Sequence, residues 1–89
     1  MTSSSYGVRI TARAERDLGK LPDKVAAACL EFIFGPLADN PHRLGHALRG
    51  ELAGLHSARR STYRVLYEIR DHELVIIIVH VAHRRDVYR

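Results

Sequence analysis

The last seven residues of the chain carry side chains suited to chemistry on a phosphodiester. In order they are His83, Arg84, Arg85, Asp86, Val87, Tyr88 and Arg89. They follow a stretch rich in valine and isoleucine, so they begin where a predicted strand ends. Arginine presents a planar fork of donors that matches phosphate oxygens and stays charged at any working pH. Arginines beside a tyrosine therefore favour binding of a phosphate, although an ordinary solvated terminus has a similar composition.

Cleavage of RNA without a metal sets three requirements for such a site. A base must take the proton of the attacking 2′-hydroxyl, an acid must protonate the leaving 5′-oxygen, and fixed cations must hold the developing charge. Arg64 and Arg84 suit the third task. Tyr88 suits the first only if neighbouring arginines make its phenol more acidic, and it is also suited to stacking on a nucleobase. His56 and His83 form the alternative acid and base pair, because imidazole exchanges protons near neutral pH.

Length and charge narrow the choice of partner. The 89 residues form one domain, with residues 1–5 expected to be disordered, and its core is too small to enclose a deep cleft, so any site is shallow or shared. The net charge of +4 comes entirely from residues 42–89, which hold nine arginines, five acidic residues and all six histidines. Nucleic acid is the favoured partner, and an acidic protein segment comes second.

Several classes of protein and site are disfavoured by the sequence. Cys29 is the single cysteine, which excludes a disulfide framework and a cysteine-based zinc site, and it is expected to be a small buried hydrophobe. His42 and His46 have helical metal-ligand spacing, but Pro41 and Gly45 disfavour a regular helix there. No apolar stretch is long enough to span a bilayer and the start lacks a signal peptide, so a cytosolic protein is expected.

The first half of the chain predicts a short strand and a helical hairpin. Residues 6–11 alternate as a strand, and Thr11 is placed to cap a helix over 12–20. Pro22 suits the first turn of a second helix with an apolar stripe. Gly35 and Pro36 predict a kink in that helix, followed by a continuation to about residue 39. Residues 41–54 contain three glycines and are predicted to form a connecting loop.

The second half predicts an antiparallel meander of three strands over 55–59, 62–69 and 74–82. On the middle strand, odd-numbered residues from Tyr63 to Ile69 share one face and even-numbered residues from Arg64 to Arg70 share the other, so one of the two faces is expected to pack on the helices. The continuous apolar run 74–79 predicts a central strand buried on both faces. The expected fold is therefore α+β, with one mostly antiparallel sheet packed on the helices.

Two sequence blocks carry a resemblance to a known family. The segment LxGLHSARRSxYRVLY at 52–67 and the ending VAHRRDVY at 81–88, together with the order of elements, resemble the RelE branch of the RelE/ParE superfamily of bacterial toxins. The similarity extends over nearly the whole chain. It implies a toxin of a type II toxin–antitoxin system that cleaves messenger RNA in the ribosomal A site. It also implies that no metal or other cofactor is used, and that a cognate antitoxin holds the toxin inactive.

The resemblance also implies roles for individual residues. Arg64 and Arg84 match the phosphate-stabilising arginines of the family, and Tyr88 matches its C-terminal tyrosine. Some members place two lysines where this chain has Leu55 and Ser57, which leaves the general base open. The nearest replacements are His56, Arg59 and Arg60. The residues expected to bind substrate are Arg59, Arg60, Arg85 and His83.

Two other functions remain open on the sequence. A ParE-like inhibitor of DNA gyrase would share the fold and act without chemistry of its own. A degenerate toxin would bind its antitoxin without cutting RNA, as the missing lysines suggest. The expected partners are an acidic, partly disordered antitoxin in a hetero-oligomer, taken to be a heterotetramer, and the ribosome with its message. A shallow site without a strong base suggests that the ribosome supplies substrate positioning.

Overall fold

A computed structural model describes residues 5–87 and shows a five-stranded sheet with helices packed on one face. In chain order the elements are β1 (Gly7–Ile10), α1 (Ala12–Gly19), α2 (Asp23–Phe32), a π-helical turn (Ile33–Leu37), α3 (Pro41–Leu44), β2 (Gly45–Ala47), a 3-10 turn (Gly50–Leu52), β3 (His56–Arg60), β4 (Tyr63–Arg70) and β5 (Val75–His83). The strand order is β1-β5-β4-β3-β2; β1 runs parallel to β5 and the other pairs are antiparallel. The predicted α+β fold and meander are confirmed, with each meander strand beginning one residue later than expected.

The disorder expected at residues 1–5 falls largely outside the described residues. The exception is Ser5, whose hydroxyl donates a hydrogen bond to the Asp39 carboxylate.

Helix α1 begins at its predicted cap and covers an open sheet edge. Thr11 Oγ1 accepts a hydrogen bond from the backbone N–H of Ala14 at 3.1 Å, which satisfies one free donor of the first turn. Beyond Ile78, β5 has no partner in β1. There Asp17 of α1 accepts a hydrogen bond from the Val81 N–H at 3.0 Å and lies 2.7 Å from His80 Nδ1. Helix α1 thus supplies a hydrogen-bond acceptor to the part of the β5 edge that β1 does not cover.

The predicted kink at Gly35 and Pro36 is a π-helical turn. Proline has no N–H to donate and collides with the preceding turn, and a widened helical turn is one way to accommodate it. Ile33 and Leu37 remain fully buried on either side of the proline. Helical backbone then continues through residue 39, as expected.

The prediction of an irregular loop over 41–54 is wrong. Pro41 instead starts the four-residue helix α3, where its missing N–H costs nothing because the first helical N–H groups have no intrahelical partner. Strand β2 follows at once and pairs with β3, which adds a fifth strand to the sheet. A three-residue strand is too short to show a readable alternation in the sequence.

The core lies between the helices and one face of the sheet. It is formed by apolar side chains of α1, α2, the π-helical turn and strands β3 to β5. The interior position of β5 is confirmed, but its predicted burial on both faces is wrong, because Ile76 and Ile78 are buried whereas Ile77 is only half-buried. The middle strand is β4. Val79 of β5 has no partner in β4 and forms a β-bulge, which lets both Ile78 and Val81 face the helices.

Two expectations about single features can be compared with the structure. Cys29 is buried in the core, as predicted. Within residues 5–87, none of the helices has the length and apolar character needed to cross a membrane.

Candidate functional site

The face of the sheet opposite the helices carries a polar cavity of about 480 Å³. Its lining residues come from α3, β2, β3 and β4, and they are Leu44, His46, Ser57, Arg59 and Arg64. Strand pairing explains the set, because His46 lies opposite Ser57, and Arg59 lies opposite Arg64. Directly opposite residues project their side chains from the same face of a sheet. None of these lining residues is acidic, so the cavity is suited to an anion.

Arg64 is the most informative residue of the cavity. Its Nη1 atom is buried but has no hydrogen-bond partner among the described residues, and the same holds for the Ser57 hydroxyl oxygen. A buried polar atom without a partner costs roughly 1–3 kcal/mol, and more if it is charged. Arg59 stands directly across from Arg64, and like charges in that position repel. A phosphate bound between the two arginines would offset both costs.

The C-terminal tail extends from β5 and returns to the same face. The backbone N–H of Arg84 donates to Thr62 O at 2.8 Å, which continues the pairing of β4 and β5 by one step. Ala82 pairs with Arg64 and shares its face of the sheet. Alternate residues of a strand share a face, so Arg84, two residues after Ala82, lies on that face as well. Val87 is only 3% exposed and packs beside Leu52 and Leu66 on this face. Tyr88 itself lies outside the described residues.

Three predicted site residues are not brought together with Arg64. His56 pairs with Tyr67 and stacks on its ring at a centroid distance of 5.6 Å, on the helix-covered face. Arg60 lines shallow grooves beside α2 on that same face. His83 contacts the edge of the Tyr63 ring at 5.5 Å.

The other two predicted substrate-binding residues, Arg59 and Arg85, are both exposed to solvent. Arg85 is exposed in the tail, and its backbone N–H donates to His83 Nδ1 at 3.2 Å. Arg59 lies at the cavity rim. Because it pairs directly with Arg64 across β3 and β4, it is the member of the predicted set closest to Arg64 in the sheet.

Gly45 and Tyr67 fix the position of β2 and so of the cavity wall. The Tyr67 hydroxyl is fully buried and donates a hydrogen bond to Pro41 O at 2.6 Å. Burial raises the pKa of Tyr67 to about 12, so the phenol keeps its proton at any working pH. A Cβ atom at Gly45 would lie 2.2 Å from that hydroxyl and 2.8 Å from Ser57 O. Only glycine allows β2 to approach this closely.

His56 belongs to a chain of rings that joins Tyr6, just before β1, to α3, β3 and β4. The Tyr6 hydroxyl donates to Asp71 at 2.6 Å, and His42 Nε2 lies 2.8 Å from the same carboxylate oxygen. The His42 ring contacts His56 edge-on at 6.0 Å. Burial lowers the pKa of His56 from its usual value of 6.5, and the charges of His42 and His46 lower it further, against the opposing effect of Asp71.

This network predicts loss of stability in mild acid. Since the folded chain holds the pKa of His56 below 6.5, the unfolded chain binds more protons as the pH falls below 6.5, and folding stability declines through that window. Thermal unfolding between pH 7.5 and 5 should therefore show a falling Tm. The His56→Gln variant should show a shallower fall over the same range. Equal slopes in the two proteins would mean that His56 is not the group responsible.

Sequence reasoning missed His46 and Val87. His46 lies in the segment that was expected to be an irregular loop, and only its pairing with Ser57 places it in the cavity. No role is assigned to Val87 from the sequence, although an apolar residue within a charged run is a signal for a packed anchor. Within residues 5–87 no group of three or more histidine, cysteine, aspartate or glutamate side chains is arranged to hold a metal ion.

Comparison with known proteins gives consistent results. Residues 8–88 match the family described as the ParE toxin of the type II toxin–antitoxin system parDE. The chain is 60% identical over 84 residues to "Toxin RelE" of Mycobacterium tuberculosis (strain ATCC 25618 / H37Rv), covering 94% of this chain and 87% of that protein. It is 54% identical to "Toxin RelG" of the same organism, covering 94% and 97%. The fold superposes on a chain of the RelBE2 toxin–antitoxin complex of Mycobacterium tuberculosis with a TM-score of 0.88 and 52% identity, covering 92% of this chain and 94% of that one.

Proposed function

This chain belongs to the RelE/ParE family of type II toxin–antitoxin toxins, and from that premise we propose that it is an endoribonuclease that cleaves messenger RNA in the ribosomal A site. The observation that carries the proposal is the buried Nη1 atom of Arg64, which has no hydrogen-bond partner among the described residues. It lies in a cavity whose lining residues include no carboxylate, next to a second arginine. A site of this kind is complementary to a phosphate whose negative charge increases during reaction.

The arginines stabilise charge in this proposal. Attack of the 2′-hydroxyl on the adjacent phosphorus places additional negative charge on the phosphoryl oxygens. Arg64 donates hydrogen bonds to those oxygens from the cavity floor, and Arg84 approaches from the tail on the same face. Arg59 binds the neighbouring phosphate at the rim. Tyr88 follows the anchored Val87 directly, and its proposed role is to contact the substrate at this face.

Dependence on the ribosome follows from the shape of the site. The cavity opens on one face of a small domain and is lined by five residues of α3 and strands β2 to β4. Such a surface binds a flexible RNA strand without fixing the 2′-hydroxyl in line with the leaving oxygen. Holding reacting groups in the correct geometry contributes several kcal/mol to catalysis, and the A site of the ribosome is proposed to do this.

We further propose a cognate acidic antitoxin as the second partner. The support comes from the similar chain of the RelBE2 complex, which was solved as a toxin–antitoxin complex, and from the net positive charge of this chain. An acidic segment folded over the arginine-rich face would occupy the site that RNA needs. Binding through such a segment should slow markedly as the salt concentration rises. Co-purification from the native operon without a small acidic partner would contradict this proposal.

Inhibition of DNA gyrase is the second candidate function, because the matching family description is that of the ParE toxin. The unpartnered Nη1 atom of Arg64 favours the ribonuclease, since it leaves a buried donor available to a phosphate within the cavity. The two functions separate in parallel assays. Purified protein should cut a message on programmed ribosomes and leave gyrase supercoiling unaffected, and inhibited supercoiling with an intact message would reverse the assignment.

Arg84→Ala provides a test of the tail in the same assay. The variant should lose A-site cleavage while keeping its fold, because Arg84 is exposed and contributes a charge rather than a core contact. Cleavage is measured by primer extension, and folding by circular dichroism. A variant that remains as toxic to cells as the parent would show that the site has been assigned to the wrong residues.

A further inference from the structure

We propose that His46 is the general base of this reaction and accepts the proton of the attacking 2′-hydroxyl. The inference rests on the ribonuclease function proposed above and supplies the proton acceptor that the arginines cannot provide. His46 lines the same cavity as Arg59 and Arg64, on the strand next to theirs. His46 pairs with Ser57, one of the two positions at which some family members have a lysine and this chain does not.

The position of His46 is fixed by the packing beneath it. Gly45 contacts the buried Tyr67 hydroxyl on the helix-covered face, so strand alternation directs the next residue, His46, toward the opposite face. The pairing with Ser57 then sets its place along the strand. The side chain is exposed to solvent, which allows it to exchange protons between turnovers. An imidazole held by a rigid strand is better placed than one on a loop.

The other described histidines are engaged elsewhere. His42 is bound to Asp71, His56 is stacked on Tyr67, and His83 packs against Tyr63. His80 has Asp17 at one ring nitrogen and Arg13 at 3.4 Å from the other. His72 lies in the turn between β4 and β5.

The remaining cavity side chains are unsuited to taking a proton. Arginine stays protonated at any working pH, and leucine and serine are not bases near neutrality. Among the residue types that line the cavity, histidine is the one that commonly serves as a general base in enzymes. The charged groups that face it are Arg59 of β3 and Arg64 of β4. His56 lies on the other face of β3 and interacts electrostatically with His46.

The proton transfers balance as follows. The 2′-oxygen forms a bond to phosphorus as its proton moves to the free ring nitrogen of His46. The bond from phosphorus to the 5′-oxygen breaks, and that oxygen takes a proton from water. The imidazolium of His46 then returns its proton to the hydroxide that remains. The products are a 2′,3′-cyclic phosphate and a 5′-hydroxyl, with no oxidation or reduction.

The test compares wild type, His46→Gln and the control His72→Gln on programmed ribosomes. Single-turnover cleavage rates are measured from pH 5 to 9. Binding is measured separately on ribosomes whose message carries a 2′-deoxynucleotide at the cut site and so cannot react. His46→Gln should cut about 100-fold more slowly, because general-base catalysis contributes about 10²–10⁴-fold. It should bind within about twofold of wild type, and the decline of the rate in acid should disappear. His72→Gln should behave as wild type.

Three results would overturn the assignment in distinguishable ways. If wild type cuts and His46→Gln cuts at a similar rate with the same pH profile, another group is the base and the ribonuclease function stands. If His46→Gln loses binding in proportion to rate and keeps the acid limb, His46 binds RNA without transferring protons. If wild type leaves the message intact, the ribonuclease function fails and this inference fails with it.

Discussion

Replacement of Arg64 by alanine should lower the single-turnover rate of A-site cleavage by about 10²–10³-fold, the usual effect of removing one preorganised charge-stabilising donor. The buried Nη1 atom has no partner among the described residues, so its hydrogen bonds are available to the reacting phosphate. The loss should appear in the rate of the chemical step more than in binding, because the charge on the phosphoryl oxygens grows only as the transition state forms.

The same substitution should not lower stability. Arg64 carries an unsatisfied buried atom and stands opposite Arg59, so its removal relieves two unfavourable interactions, and Tm should stay the same or rise. Arg70→Ala is the matched control on the same strand. Arg70 is engaged by Glu68 and Glu73 and lies outside the cavity, so its loss should leave cleavage unchanged. Full activity of Arg64→Ala, or equal losses in both variants, would refute the assigned role.

Gly45→Ala should destabilise the fold by about 2–4 kcal/mol, the combined effect of overpacking and of a lost buried hydrogen bond. The new methyl group would lie 2.2 Å from the Tyr67 hydroxyl and 2.8 Å from Ser57 O, and the second of these is rigid backbone. Either the phenol gives up its bond to Pro41 or β2 moves away from β3. In a domain of this size the expected fall in Tm is roughly 10–20 °C.

Gly19→Ala is the control for this prediction. It makes the same chemical change in α1, where no atom beyond the two chain neighbours and the adjacent helix backbone lies within 4 Å of the added carbon, and alanine favours a helix over glycine. Its Tm should equal or slightly exceed that of the parent. Cleavage by Gly45→Ala, measured below its own unfolding temperature, should also fall because the strand that carries His46 is displaced. A Tm for Gly45→Ala close to that of the parent would contradict the proposed packing.

Long periodic segments of this sequence are sufficient to predict their own structure. The alternation of β4 predicted that Val65 and Tyr67 share one face and that Arg64 lies on the other, and the structure confirms this separation. Thr11 predicted the start of α1 for a local reason, the hydrogen bond of its own side chain to the first turn. Such features depend on residues that are near in sequence, so a single sequence contains the needed information.

The cavity wall could not be predicted in this way. Strand β2 has three residues, and its register depends on the contact between Gly45 and Tyr67, which are 22 positions apart. Nothing local in the sequence shows that this segment pairs with β3. The place of His56 was recoverable, because a short hairpin between β3 and β4 already puts it on the face of Val65 and Tyr67. Because side chains alternate between the faces of a strand, His56 lies on the opposite face of the sheet from Arg59 and Arg64.

Attack by the 2′-hydroxyl can be tested by mapping cleavage of a defined message on ribosomes with an open A site, using two messages that differ by one atom. One message is all RNA, and the other carries a single 2′-deoxynucleotide immediately before the expected cut. Primer extension and analysis of the product ends should show one A-site cut with a 2′,3′-cyclic phosphate in the first message and no cut at that position in the second. Equal cutting of both messages, or no cutting of either, would contradict attack by the 2′-hydroxyl within the arginine-lined cavity.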